Sequence, residues 1–172
     1  MIMRKVAQFE KVSFEQFKKD IADTFCDEFT KHERFETVYN EISLPKRSTK
    51  YSAGHDIKIP FKYILRPNET VKIPTGIRCK MDDEYVMFVF PRSSLGIKKN
   101  MVITNTVGVI DSDYYDADNE GHIFICIKNC GNETIKFEQN DAITQAVFVP
   151  FGVADDDEIT TERTGGIGST GK

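Results

Sequence analysis

Asn105-Thr106-Val107-Gly108-Val109-Ile110-Asp111-Ser112-Asp113-Tyr114 is the stretch that decides how the chain is read. Val107, Val109 and Ile110 are β-branched and suit a half-buried pleated surface. Gly108 interrupts them, as glycine does in a strand that bulges or is closely approached by another backbone. Asp111, Asp113 and Tyr114 follow at the strand end. A carboxylate on a rigid strand end, beside an aromatic ring and bared backbone, can hold a water against a flat ligand. The same residues also suit an ordinary strand closed by an Asp-Ser-Asp turn. The surrounding sequence has to decide between the two.

On both sides the pattern stays β. Strands are expected at 56–59, 70–73, 76–80, 85–90, 101–105, 107–110, 122–128, 134–137 and Ala142–Pro150. Pro67-Asn68, Pro74, Asp82-Asp83, Asp118-Asn119 and Gly131-Asn132 mark turns between them. Many short strands at even spacing argue for a mainly β sandwich or barrel. No β–α alternation is present, which excludes a Rossmann sheet or a P-loop fold. Upstream, residues 13–42 read as a helical hairpin. Ser13 and Gln16 form a capping-box pattern, and Phe14, Phe17, Ile21 and Phe25 follow at helical spacing. Thr30 and Glu33 repeat the box before Phe35, Val38, Tyr39 and Ile42. Residues 43–54 read as an exposed basic loop, and residues 154–172 lose all periodicity and turn glycine-rich. The expected division is a helical N-terminal extension over 1–42, an all-β domain over 43–153 and a flexible arm over 154–172.

The totals narrow the function classes. A chain of 172 residues suits one domain with an appendage and can bury a real core. Hydrophobic residues are 40% and charged residues 29%, the balance of a globular chain. Net charge is −4, so general nucleic-acid binding is not expected, and a polyanion would need a local cluster of cations and amides. No run of apolar residues is long enough for a membrane span, and residues 1–20 carry no apolar block of a secretory signal. His122, Cys126 and Cys130 have helical zinc spacing, but a strand spreads them along one face. Reduced thiols in a cytoplasmic protein fit better.

Four further stretches carry chemistry. Pro91-Arg92-Ser93-Ser94-Leu95-Gly96-Ile97-Lys98-Lys99 offers a guanidinium, hydroxyls, amides near Gly96 and two ammoniums, the parts of a phosphate cradle. The tail offers Arg163, Ser169, Thr170 and Lys172 among glycines, without Walker A spacing. Gln145 is an amide inside the apolar run around Ala142 to Val147, and needs a partner. In Ser52-Ala53-Gly54-His55-Asp56 the glycine lets the backbone turn, and Asp56 can hold a water or a cation. His55 reads as a surface or packed histidine.

These five stretches, in this order on an all-β chain, resemble the trimeric deoxyuridine triphosphatase (dUTPase) family. Ala53 to Asp56, Pro91 to Gly96, Asn105 to Tyr114, Asp141 to Gln145 and Arg163 to Gly171 are similar to its five motifs, so the resemblance covers about residues 43–172. The implied fold is a jelly-roll-like barrel, here with an N-terminal helical extension. The implied enzyme is a dUTP diphosphatase that splits dUTP into dUMP and pyrophosphate, keeps uracil out of DNA and supplies dUMP for thymidylate synthesis. By this resemblance Asp111 is the general base. Asn105, Gly108, Val109 and Ile110 would read the uracil and sugar, and Tyr114 would pack under the deoxyribose. Ser93, Ser94, Gln145 and Arg163, with Arg92 nearby, would hold the phosphates. Gly166, Ile167, Gly168 and Ser169 would close over the nucleotide. Mg²⁺ would ride on the triphosphate, with Asp56 reaching it through water. The assembly would be a homotrimer with shared sites, the arm of one chain acting on a neighbour.

The chain departs from the family pattern in several places. His55 stands where tyrosine is usual, and Ala142 where arginine is usual. The loop over 115–121 is longer than the common form, and the spacing from Arg163 to Gly165-Gly166 is shorter. Ile167 occupies the place of the phenylalanine that stacks on uracil, which leaves Tyr115 or His122 as candidates for the covering ring. Two rivals share the fold. A dCTP deaminase would want a glutamate where Cys126 stands. A regulatory protein would keep the pocket and signal through the extension.

Overall fold

The computed structural model describes residues 4–25, 35–161, Arg163 and Gly165. The expected repeat around Thr30 and Glu33 lies outside them. In chain order the elements are β1 (Ala7–Lys11), α1 (Phe14–Phe25), α2 (Phe35–Asn40), β2 (Lys46–Arg47), β3 (His55–Lys58), β4 (Tyr63–Leu65), β5 (Thr70–Pro74) and β6 (Ile77–Met81). They continue with β7 (Tyr85–Pro91), α3 (Ser93–Lys99), β8 (Met101–Ile103), β9 (Gly108–Ile110), a 3-10 turn over Ser112–Asp116, β10 (Phe124–Asn129), β11 (Ile135–Phe137) and β12 (Ala142–Pro150). The mainly β expectation holds, and each expected strand is present within a residue or two of its expected bounds.

The strands form four sheets: β1-β6, β5-β10-β8, β11-β4 and β2-β3-β12-β7-β9. Period-two side-chain alternation sends one face of each inward. Val71 and Ile73 of β5, Ile125 and Ile127 of β10, and Ile57, Met87, Val89 and Ile143 of the five-stranded sheet all join one hydrophobic core. β12 is the inner strand of that sheet. Gln145 lies opposite Asp56 of β3 on one side and Phe90 of β7 on the other.

The extension is not purely helical. Ala7–Lys11 is a strand, paired antiparallel with β6, with Phe9 opposite Cys79. Gln8 and Glu10 flank Phe9 and Lys11 follows, so the strand carries a single large apolar side chain, and the pairing is long-range, so local pattern did not expose it. Ser13 caps α1 as expected, its Oγ accepting the Gln16 N–H at 3.1 Å. The other half of the box is replaced. The Ser13 N–H goes to Glu120 at 2.7 Å, and the Gln16 side chain donates to Asp20 at 2.8 Å. The apolar stripe of α1 does what its spacing implies. Phe17 and Ile21 are fully buried, and Phe17 stacks on Phe35 with ring centroids 5.4 Å apart. Both belong to the same core cluster as the strands. Burying one such side chain contributes about 1.5–3 kcal/mol, so the extension is part of the folding unit.

Phe17→Ala should therefore cost roughly 3–5 kcal/mol, the usual range for a buried aromatic. Urea unfolding should lose that stability in one cooperative transition. A loss below about 1 kcal/mol, the range of surface changes, would mean that α1 is only loosely attached.

Candidate active site

β8 and β9 are neighbours in sequence but do not pair. β8 pairs with β10, Ile103 opposite Ile127, while β9 pairs with β7, Gly108 opposite Val89. The chain crosses from one sheet to the other in the turn between them, so the two strands splay. A pocket of about 440 Å³ opens in the gap, a size that suits a small ligand. The turn is tight: Thr106 sits in the left-handed region at φ 68°. A β-branched residue there is unusual and marks a constrained segment. Asn105, beside it, is exposed and lines the pocket with Gly108, Val109 and Ile110. The close approach expected at Gly108 is present. A Cβ there would lie 3.1 Å from Val89 Cβ.

The pocket rim carries the charge. Asp111 ends β9 and is about half exposed; Asp113 is similar. Arg163 spans both, its Nη2 donating to Asp111 Oδ2 and its Nε to Asp113 Oδ1, each at 2.8 Å. Its guanidinium stands 5.7 Å from the centroid of the Tyr114 ring. Tyr114 is buried and lines the pocket. Burial pushes its phenol up from the ordinary value, so it stays a neutral donor, and it donates to His122 O at 2.7 Å. Asn105, Gly108, Val109, Ile110, Asp111, Tyr114 and Arg163 thus converge on one pocket. Arg163, the described arm residue of the site, sits on the acids of its own chain, where the resemblance implied an arm acting on a neighbour; Gly166, Ile167, Gly168 and Ser169 lie outside the described residues.

A second cluster forms where β3, β12 and the end of β7 meet. Asp56 Oδ1 pairs with Arg92 Nε at 3.1 Å, and Oδ2 accepts from Ser48 at 3.0 Å. Gln145 donates to Pro91 O at 3.4 Å. Gly54 packs directly against Gln145: a Cβ there would lie 2.3 Å from Gln145 Oε1 and displace that amide. Ser93 and Ser94 open α3 and are exposed. Ala142, where the arginine was missed, lies opposite Lys58; the ion pair at this end of the sheet is Arg92 with Asp56. The two clusters do not meet within one chain. Ile110 is opposite Met87, which puts Asp111 toward the start of β7. Arg92 follows its last residue. The steps from Met87 to Arg92 span roughly 16 Å at strand rise.

Several expectations are corrected. The stretch after Arg92 is a short helix rather than an open cradle, and the Gly96 amide is already bonded to Arg92 O at 2.8 Å. Neither Tyr115 nor His122 is free to cover a base. The Tyr115 hydroxyl donates to Glu10 at 2.7 Å under the Arg78 guanidinium, and His122 has no exposure at all. His55 is packed between the rings of Phe9 and Phe148, the second of the two readings its sequence allowed. The zinc spacing is not used: His122 bonds Asp20 and the Gly76 amide, and Cys130 is exposed beyond the strand. Among the described residues no three His, Cys, Asp or Glu side chains converge on a point. Asp56 fits a hydrated divalent ion already held by phosphates, since Mg²⁺ keeps most of its waters and takes few protein ligands.

Sequence reasoning missed Phe124 and Lys72, which also line the pocket, with the Lys72 ammonium 4.9 Å from the Phe124 ring centroid. The alternation of buried and half-buried residues along β10 puts Phe124 and Cys126 on the face away from the core. That period was the available signal.

The chain resembles known proteins over most of its length. A family model described as dUTPase matches residues 40–171. The deoxyuridine 5'-triphosphate nucleotidohydrolase of Lactococcus lactis subsp. lactis is 47% identical over 133 residues, covering 76% of this chain and 89% of its own. The crystal structure of the dUTPase from Streptococcus mutans is 33% identical and superposes with a TM-score of 0.63, covering 86% of this chain and 98% of that one. A mutant dUTPase of phage phi11 of S. aureus, which coordinates a structural Mg(II) ion, shares the fold at 20% identity. Its TM-score is 0.62, over 91% of this chain and 98% of that one. With more than half of its length matched by the family model, the chain belongs to the dUTPase family.

Proposed function

We propose that this dUTPase hydrolyses dUTP to dUMP and pyrophosphate in a site shared between copies of the chain. The observation that carries the reading is the splayed β8–β9 turn, with Asp111 at the rim of a nucleoside-sized pocket. Asn105 and the backbone of Gly108, Val109 and Ile110 read the uracil edge and the sugar, and Tyr114 closes the space a 2′-hydroxyl would need. Asp111 orients a water and takes its proton as the oxygen bonds to the α-phosphorus. The bond between the α-phosphorus and the bridging oxygen breaks, and pyrophosphate leaves with that oxygen and the electron pair. Arg163 holds Asp111 and Asp113 when no nucleotide is bound. Phosphates compete for its guanidinium, which exchanges to them and frees the base. Tail residues Gly166, Ile167, Gly168 and Ser169 follow Arg163 over the nucleotide.

Arg92, Ser93, Ser94 and Gln145 supply donors for the phosphates, where charge builds in the leaving group. Their separation from Asp111 along β7 supports a second copy as their source, and a homotrimer closes such an arrangement. Phe151, Val153 and Ile159, exposed by 52%, 71% and 82% as the chain leaves β12, give such an assembly apolar surface to cover. Mg²⁺ on the triphosphate would neutralise part of its charge, and Asp56 would help hold the ion through its waters. Cys79, Cys126 and Cys130 are free thiols, which fits the reducing cytoplasm. The deaminase alternative is not favoured. Cys126 stands where it needs glutamate, and of the acidic residues Asp111 alone lines the pocket among the described residues.

A nucleotide panel read by pyrophosphate release tests the reading. dUTP should turn over with Mg²⁺, and UTP and dCTP should be disfavoured by up to about 10⁴-fold, the range that steric and unpaired-polar penalties reach. Comparable rates for dUTP and dCTP would sink the base-edge assignment.

Asp111→Asn should bind a non-hydrolysable dUTP analogue normally but turn over dUTP about 10²–10⁴-fold more slowly, the usual worth of a positioned base. Turnover near wild type would transfer the role to Asp113.

A further inference from the structure

We propose that the N-terminal extension sets the sugar selectivity of the pocket, with Asp20 as a positioning residue that acts on Tyr114 through His122. The inference rests on the sugar-facing role given to Tyr114 above. It starts from the loop between Asp111 and β10, which the extension grips at three points. Glu10 of β1 accepts the Tyr115 hydroxyl at 2.7 Å. The Ser13 amide and hydroxyl donate to the Glu120 carboxylate at 2.7 and 2.6 Å. Asp20 of α1 bonds His122 Nδ1 at the loop's far end.

The third grip is the deepest. His122 is fully buried, and its Nε2 accepts the Gly76 N–H at 2.7 Å. An imidazole that accepts at Nε2 carries its proton on Nδ1, so it donates to Asp20 as a neutral ring. Burial pushes the Asp20 carboxyl up, but hydrogen bonds from His122 and Gln16 outweigh it and hold it below its usual value. Asp20 is thus a fixed anionic acceptor that sets the ring, and with it the His122 backbone. The His122 carbonyl accepts the Tyr114 hydroxyl at 2.7 Å, and Asn119 donates to the same hydroxyl at 2.9 Å. Tyr114 has no slack toward the pocket as long as this chain holds. The loop itself closes tightly: Gly121 has φ +66°, and a Cβ there would lie 2.7 Å from Tyr114 O. Glu10, Ser13 and Asp20 all precede residue 40, where the match to the family model begins.

The test compares the dUTP-to-UTP ratio of kcat/KM for wild type, Tyr114→Ala, Asp20→Ala and Asp20→Asn. Phe137→Ala, a core change in β11 away from the loop, controls for lost stability. Asp20→Ala should lower the ratio at least tenfold, chiefly through faster use of UTP, and Tyr114→Ala should lower it as much or more. Asp20→Asn keeps an acceptor for Nδ1–H and should restore most of the ratio, and Phe137→Ala should leave it unchanged. A folded Asp20→Ala with full selectivity, alongside a Tyr114→Ala that has lost it, overturns the proposal and leaves the Tyr114 assignment standing. Full selectivity in Tyr114→Ala overturns both. If Asp20→Ala does not fold, Tyr115→Phe cuts the Glu10 grip on the same loop. It should lower the ratio a few-fold, and no change there overturns the proposal.

Discussion

A β-strand is a nearly inextensible rod, and β7 carries the two halves of this site at its opposite ends. Hydrogen bonding to β9 fixes Asp111 near Met87, and pairing with β12 fixes Gln145 near Phe90, one residue short of Pro91 and the Arg92–Asp56 pair. No side chain spans the roughly 16 Å that remains. Neither half is free to slide, because a one-residue slip of β7 would turn Met87 and Val89 out of the core. The base and the phosphate donors are therefore held apart by the same ladder that folds the domain. On the proposed shared-site reading, a second copy supplies the phosphate donors, and strand geometry gives the reason.

The pocket has the same kind of origin. β8 and β9 are drawn into different sheets by their partners β10 and β7, and each is the edge strand of its sheet, so the backbone on its outer side is unpaired by any strand. Such backbone is free to read a flat base edge. Tyr114, from the loop between Ser112 and Gly121, lines the gap; the loop opens with a 3-10 turn and then runs irregularly. Its order comes from outside, from β1 and α1, through Glu10, Ser13 and Asp20. The extension in turn holds its place by burying Phe17 and Ile21 in the common core. Stability and selectivity are linked here through a short series of contacts.

Much of this was legible in the sequence. The β-branched run at 107–110 with the acids after it, read together with four further stretches in order along the chain, pointed to the family and to most of the pocket. Period-two alternation gave the strands, and helical spacing gave α1. Other features depended on contacts between distant residues. β1 is specified by its pairing with β6, not by its own composition. The Asp20–His122 bond joins residues about a hundred positions apart, and His122 read instead as a zinc-spaced or base-covering group. The helix after Arg92 is nucleated by the Arg92 carbonyl, which accepts from both Leu95 and Gly96; seven residues carry too little periodicity to announce it. Phe124 was hidden by its place in an apolar run, although alternation put it on the outer face.

The central claim is that one chain holds only half of a site. Subunit mixing between Asp111→Asn and Arg92→Ala tests it most directly, since each variant alone damages a different half. The two are unfolded together, refolded, confirmed as mixed trimers by mass and assayed for dUTP turnover. In a random one-to-one mixture, a shared site keeps both halves intact in about a quarter of cases in a closed ring. The account predicts recovery to that level from two nearly inactive parents. Mixed trimers with no recovery would place Asp111 and Arg92 in one chain's site and contradict it.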